Sequence, residues 1–294
     1  MLLGKTTELN PEIVKLFKKG SKTYFNSSLF FPAETRAEVF RLYAFVRKAD
    51  NYVDSIPQDV EGFYRFRREY ERAAEGNETS DIVVREFVAL AERHGFERRW
   101  VDAFLDAMEA DLYRKTYYTV DELCGYMYGS AEVVGLFMAK IMRLPKESYI
   151  YARHLGRAMQ YINFIRDVRE DFVLGRQYLP LEELREYGIE SFDPYEICGK
   201  LDEFSVFIRK QIDRYLEWQR FAEKGYRYIP YRFLIPIKTA SDMYKWTARI
   251  IYRTPWIVFI RKVKPWKPRI IYSANINFIN VLKHKVPLGG VPWP

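Results

Sequence analysis

The segment AEVFRLYAFVRKADNYVDS (37–55) sets four polar side chains in a line along the margin of an apolar helix face. At about 100° per residue Val39, Leu42, Val46, Ala49 and Val53 share that face. Tyr43, Arg47, Asp50 and Asp54 follow at i, i+4, i+7 and i+11 on its edge. Arg41 and Lys48 fall on the opposite side, where solvent is expected. A second segment repeats the arrangement. Gln160, Asn163, Asp167 and Asp171 stand at i, i+3, i+7 and i+11, within an arc of about 80°, bordered by Met159, Ile162, Phe164 and Val168. Arg169 breaks the pattern by falling on the apolar side. A chain with two such helices buries carboxylates, and its fold must supply something to neutralise them.

Burying one unpaired carboxylate costs several kcal/mol. An arginine from a neighbouring helix would offset that cost, and so would a divalent cation. Four aspartates in two stripes of matching spacing favour the cation. Carboxylates at i, i+4 lie about 5–6 Å apart, close enough to share one ion. Mg²⁺ takes one or two protein carboxylates and completes its shell with water and phosphate oxygens, so two facing stripes suit a metal cluster holding a diphosphate. Arg47, Arg166 and Arg176 would add charge-assisted bonds to the same oxygens.

The rest of the chain reads as helix. Apolar residues recur with helical period over about 9–18, 33–54, 58–75, 80–94, 97–113, 119–142, 146–173, 193–223 and 231–260. No Gly/Ser-rich linker divides them, which predicts a single all-α domain over 1–272 and an extended arm over 273–294. Cys124 and Cys198 are far apart, and the three histidines form no ligand pattern, so any metal would be held by oxygen. Aromatic residues make up 17% of the chain, more than a core needs and enough to wall a long apolar pocket.

The net charge of +8 raises nucleic acid and anionic membranes as partners. Most basic residues alternate with acids, as in RFRREYERAAE, and no nucleic-acid recognition motif is present. The stretch 249–272, RIIYRTPWIVFIRKVKPWKPRIIY, is the exception, being basic and aromatic without an acid. That composition suits the headgroup layer of an anionic membrane; phosphate binding or plain solubility would account for it equally. Without an apolar run of 18 residues or a signal-peptide core, the expectation is a cytoplasmic protein with at most peripheral membrane contact. The sequence carries no signal for an oligomeric state.

These motifs resemble those of the squalene/phytoene synthase family. YAFVRKADNYVD is similar to its first aspartate-rich motif, and QYINFIRDVREDFVLGRQYLP to its second. GYMYGSAEVVG (125–135) resembles the family's central Gly/Tyr helix, and GSKTYFNSSLFFP (20–32) the segment whose hydroxyls face the diphosphate. The resemblance implies a class I isoprenoid synthase-type helical bundle around a central cavity. It implies Asp50, Asp54, Asn163, Asp167 and Asp171 as magnesium-site residues, with Mn²⁺ as a substitute. It implies Ser21, Tyr24, Tyr43, Arg47, Gln160, Arg166, Arg176 and Tyr178 around the diphosphate, Tyr128 beside the carbocation, and Tyr244 and Arg253 as a later pair. Asn51 stands where many members carry a second acid, and TPWIVFIRKVKPWKP departs from the usual ending.

The implied reaction joins two prenyl diphosphates head to head through a cyclopropyl diphosphate. Two geranylgeranyl diphosphates would give phytoene. The alternative is farnesyl diphosphate, giving squalene or dehydrosqualene, with NADPH needed only for squalene. A non-catalytic, membrane-associated relative would be expected to have lost the aspartates, and all four are present.

Overall fold

In the computed structural model the described residues are 9–20 and 22–282, with side chains described except at 19, 20, 22–24 and 282. Helices follow one another as α1 (Pro11–Gly20), α2 (Lys22–Ser28), α3 (Ala33–Asp54), α4 (Val60–Ala74), α5 (Ile82–His94) and α6 (Arg98–Tyr113). Then come α7 (Val120–Met127), a π-helical turn (Tyr128–Glu132), α8 (Val133–Ile141), α9 (Tyr149–Arg166) and α10 (Val168–Val173). The chain continues through α11 (Leu181–Arg185), α12 (Pro194–Cys198), α13 (Leu201–Glu223), α14 (Tyr231–Arg253), α15 (Ile257–Ile260) and α16 (Lys267–Leu282). Among the described residues the only extended pairing is one parallel bridge, Thr116 with Gln177. No described helix is long and apolar enough to cross a membrane.

The helix starts follow local chemistry. Pro32 precedes the first turn of α3. The Asp81 carboxylate accepts from the Val83 and Val84 amides at the start of α5, and Gly95 closes that helix in the left-handed region at φ 61°. Thr119 caps α7 by accepting from Glu122 N–H at 3.1 Å.

Packing sets the cavity. α9 lies at the centre, against α13 on one side and α8 on the other. A Cβ on Gly135 would stand 2.2 Å from the Ala152 carbonyl oxygen, and one on Gly156 would stand 2.3 Å from that of Ala131. Only glycine allows α8 and α9 to cross so closely. The π turn between α7 and α8 buries Glu132 fully, where Arg153 (2.8 Å) and Arg157 (2.6 Å) neutralise it. On the far side, Phe45 of α3 stacks on Phe87 of α5, with ring centroids 3.7 Å apart.

Four expectations need correction. The side of α3 opposite the aspartates is covered by α5: Arg41, 7% exposed, pairs with Glu86 at 2.6 Å, and Lys48 pairs with Asp81 at 2.7 Å. The helix expected over 146–173 breaks at Asp167, at φ −102° and ψ 12°. That break resets the helical phase of α10, so Arg169 leaves the apolar side and donates to the Phe259 carbonyl at 2.6 Å. The helix expected over 231–260 ends at Arg253, ahead of Thr254 and Pro255. Residues 273–282 are no extended arm but the second half of α16, which packs against α14 and α2; 283–294 lie outside the described residues.

Candidate active site

Both polar stripes open into one cavity of about 670 Å³. Along α3 it is lined by Tyr43, Arg47, Asp50 and Asp54, and along α9 and α10 by Gln160, Asn163, Arg166, Asp167 and Asp171. Tyr43 is held by stacking on Phe17, ring centroids 3.9 Å apart. The chain after α10 returns beside α6 through the Thr116–Gln177 bridge, Gln177 N–H donating to the Lys115 carbonyl at 2.7 Å, and so presents Arg176 and Tyr178. Arg176 ties the two halves of the site together. Its Nη1 donates to Asp54 Oδ1 at 2.8 Å and its Nη2 to the Val53 carbonyl at 2.5 Å, which also caps the end of α3.

The carboxylates are not equivalent. Arg166 grips Asp167 with Nε and Nη2, each at 2.6 Å, and Lys262 Nζ approaches the same carboxylate at 3.0 Å. Burial alone would raise Asp167, but these cations outweigh it and hold the group below its ordinary value. Asp50 is bonded by Arg47, yet burial and then the charge of Asp54 push it up to about 7. Asp171 is raised well above its ordinary value, by burial first, then by Asp167 and by Asp54 across the cavity. Its carboxylate makes no hydrogen bond or ion pair with a described residue.

One acid at the centre has no counterpart among the residues expected from the sequence. Asp111 on α6 is 2% exposed and accepts from Tyr126 Oη at 2.7 Å and from Tyr178 Oη at 2.8 Å. Burial lifts it to about 6, despite Arg176 and both hydroxyls. A signal for it exists: Asp111 follows Trp100, Phe104 and Met108 on the apolar stripe of its helix, by the same phase argument that locates the other aspartates. Lys262 and Lys264, from the segment after α15, also line the cavity and are likewise absent from the expected set.

Two expected residues stand elsewhere. Tyr128 does not line the cavity; its ring lies under the Arg153 guanidinium at 5.2 Å. Tyr126 and Ser130, two residues to either side and so on the other face of the helix, line it instead. Arg253 is exposed at the end of α14, away from the cavity, whereas Tyr244 lines it. Nine residues at about 100° each put Arg253 half a turn from Tyr244. Ser21 lies outside the described residues, and Tyr24 is on α2 with its side chain outside them.

The donors suit a hard cation. Among the described residues Asn163 Oδ1 is buried without a hydrogen-bond partner and Asp171 is unpaired, and Asp50 and Asp171 repel the other acids around them. No three His, Cys, Asp or Glu side chains among the described residues converge as a ready cage. Pairs of oxygen donors that leave room for phosphate oxygens are what Mg²⁺ accepts.

Away from the acids the cavity turns apolar, lined by Phe31, Val39, Met138, Met142, Leu144 and Ile237. An apolar slot is thus continuous with the charged part of the cavity.

Residues 17–269 match the family described as squalene/phytoene synthase. Phytoene synthase 2, chloroplastic, from Solanum lycopersicum is 26% identical over 294 residues, covering 95% of this chain and 93% of the relative. The 15-cis-phytoene synthase of Synechococcus elongatus is 26% identical over 285 residues, with 90% and 91% covered. Among solved structures, a dehydrosqualene synthase in complex with ligand superposes with a TM-score of 0.82 at 21% identity, over 92% of this chain and 95% of that one. A squalene synthase from Alicyclobacillus acidocaldarius gives 0.74 at 21% identity, over 83% and 93%.

Proposed function

The chain belongs to the squalene/phytoene synthase family and is a prenyltransferase, and from that premise we propose that it condenses two geranylgeranyl diphosphates into phytoene, through a cyclopropyl diphosphate, with release of diphosphate. The observation that carries this reading is the union, in one cavity, of an acid- and cation-lined mouth with an apolar slot. The phytoene synthase relatives, matched over nearly their whole length, favour the longer substrate.

Asp50, Asp54, Asn163, Asp167 and Asp171 would hold Mg²⁺, with Mn²⁺ as a substitute; the bound ion neutralises charge on the departing diphosphate. The chain's own groups do the rest. Arg47, Arg166 and Arg176 are each fixed by an aspartate through part of the guanidinium and keep further N–H donors for phosphate oxygens. Lys262 and Lys264 add positive charge, Lys262 beside Asp167. The apolar wall keeps water from the allylic cation and holds two chains side by side. Tyr126 and Tyr178 line the cavity with their hydroxyls held on Asp111, and the Tyr178 ring stacks on Phe164 and Tyr126.

A second reading, two farnesyl diphosphates giving dehydrosqualene or, with NADPH, squalene, draws on the dehydrosqualene and squalene synthase structures. Incubation with each diphosphate and Mg²⁺, with and without NADPH, followed by identification of the hydrocarbon, separates the two. A C40 product is expected. A C30 product would replace the substrate assignment, and no hydrocarbon from either would remove the catalytic reading.

A further inference from the structure

α16 is apolar on both of its sides, with Ile270, Ala274 and Val281 buried inward. Its inward side carries Asn277, 2% exposed, whose Nδ2 donates to Asp242 Oδ2 at 3.0 Å and to Thr239 Oγ1 at 3.2 Å on α14. Ser273 reaches the same carboxylate at 3.4 Å. Its outward side, an arc of about 160°, carries Ile271, Tyr272, Ile276, Phe278 and Ile279 with Asn275 as the one polar residue. Tyr272 is 68% exposed and Phe278 is 50% exposed. A helix whose outer side faces water carries polar residues there. The polar pins to α14 fix the helix in register, so the apolar side is held outward by structure.

We propose that this face of α16 docks on an anionic lipid bilayer, the helix lying flat in the headgroup layer. Charge names the surface: after Asp242 the chain has ten Lys and Arg and no Asp or Glu, with Lys267 and Arg269 at one end of α16 and Lys283 and Lys285 following the other. Length fixes the orientation, because a 16-residue helix is about 24 Å long and falls short of spanning. A second copy fits less well. One helix face is well below the roughly 800 Å² that each partner of a stable dimer buries, and two basic rims would repel. The other side of α14 lines the cavity through Ile237, Ala240 and Tyr244, so docking sets that wall one helix away from the lipid. Only this consequence depends on prenyl substrates; the docking itself does not.

The test uses the full chain without substrate or metal, sedimented with phosphatidylcholine vesicles with and without about 30% phosphatidylglycerol. Binding is expected on the anionic vesicles, weakened several-fold by Lys267→Glu. The combined variant Ile271→Ser, Phe278→Ser, Ile279→Ser should lose at least about tenfold in binding. Its melting temperature, and its turnover of detergent-dispersed substrate, should stay unchanged. Tyr272→Trp should shift its emission to the blue on anionic vesicles alone. The proposal is overturned if the parent binds neither vesicle, or if the combined variant binds like the parent. A parental dimer that the combined variant dissociates would make a second copy the occupant. A large fall in melting temperature would mean that the chain's own terminal residues cover the face.

Discussion

The two aspartate stripes share their spacing but not their mechanics. On α3 the helix is continuous, and Asp54, its last residue, is tied to Arg176. On the partner stripe the helix breaks at Asp167, which is held by Arg166 and Lys262. In each stripe one acid is held by a cation from a distant segment, Arg176 or Lys262, while Asp50 is bonded only within its own helix, by Arg47. The other, Asp50 or Asp171, keeps a pKa pushed upward. The same sequence pattern therefore yields one anchoring and one receiving carboxylate per stripe, and the environment assigns the roles.

Removing the receiving acids should have the largest effect. Asp50→Asn and Asp171→Asn are expected to reduce turnover about a thousandfold or more with helicity retained, measured by hydrocarbon formation and circular dichroism. Near-normal rates in both would end the distinction between stripes and ordinary buried acids. The anchoring acid should respond differently in stability. Asp167→Asn leaves Arg166 buried without its carboxylate, an expected loss of about 3 kcal/mol in denaturant unfolding. Asp171→Asn, by contrast, removes an unpaired and repelled charge and should raise the melting temperature of the substrate-free protein.

A pH titration sharpens the same contrast. Because folding raises Asp50, its contribution to stability is fully present below the ordinary carboxylate range and is lost as pH rises towards about 7. Cation and diphosphate need the ionised form, so their joint affinity should climb across that interval with release of protons. Calorimetry in buffers of different ionisation heat would measure this, and a flat profile from pH 6 to 8 would contradict it. The smallest effects belong to the back of α3. Arg41→Met should cost about 1 kcal/mol through the half-buried Glu86 it leaves unpaired, with turnover unchanged. Lys48→Ala should cost less than about 1 kcal/mol.

Much of the fold and site is legible in the sequence, and the exceptions have physical causes. The expected span 33–54 coincides with α3 because Pro32 marks its start and the apolar phase runs unbroken. The break at Asp167 carries no Gly or Pro, so nothing local announces it; its carboxylate is held by the adjacent Arg166 and, from a distant segment, by Lys262. Phase shows which face of α3 holds the acids but not that α5 covers the other, since a buried ion pair and a solvated one look alike in sequence. α16 reads as irregular because apolar residues lie on both of its sides, Ile270, Ala274 and Val281 inward and Ile271, Tyr272 and Phe278 outward, which leaves little amphipathic pattern to find.

For the proposed chemistry both stripes must act on one diphosphate. Crystals grown with Mn²⁺ and inorganic diphosphate, measured for anomalous scattering, test that directly. The expected map has metal peaks against both the Asp50–Asp54 pair and the Asn163–Asp167–Asp171 group, bridged by one diphosphate. Metal confined to one stripe, or diphosphate bound to the arginines with no metal beside it, would contradict it.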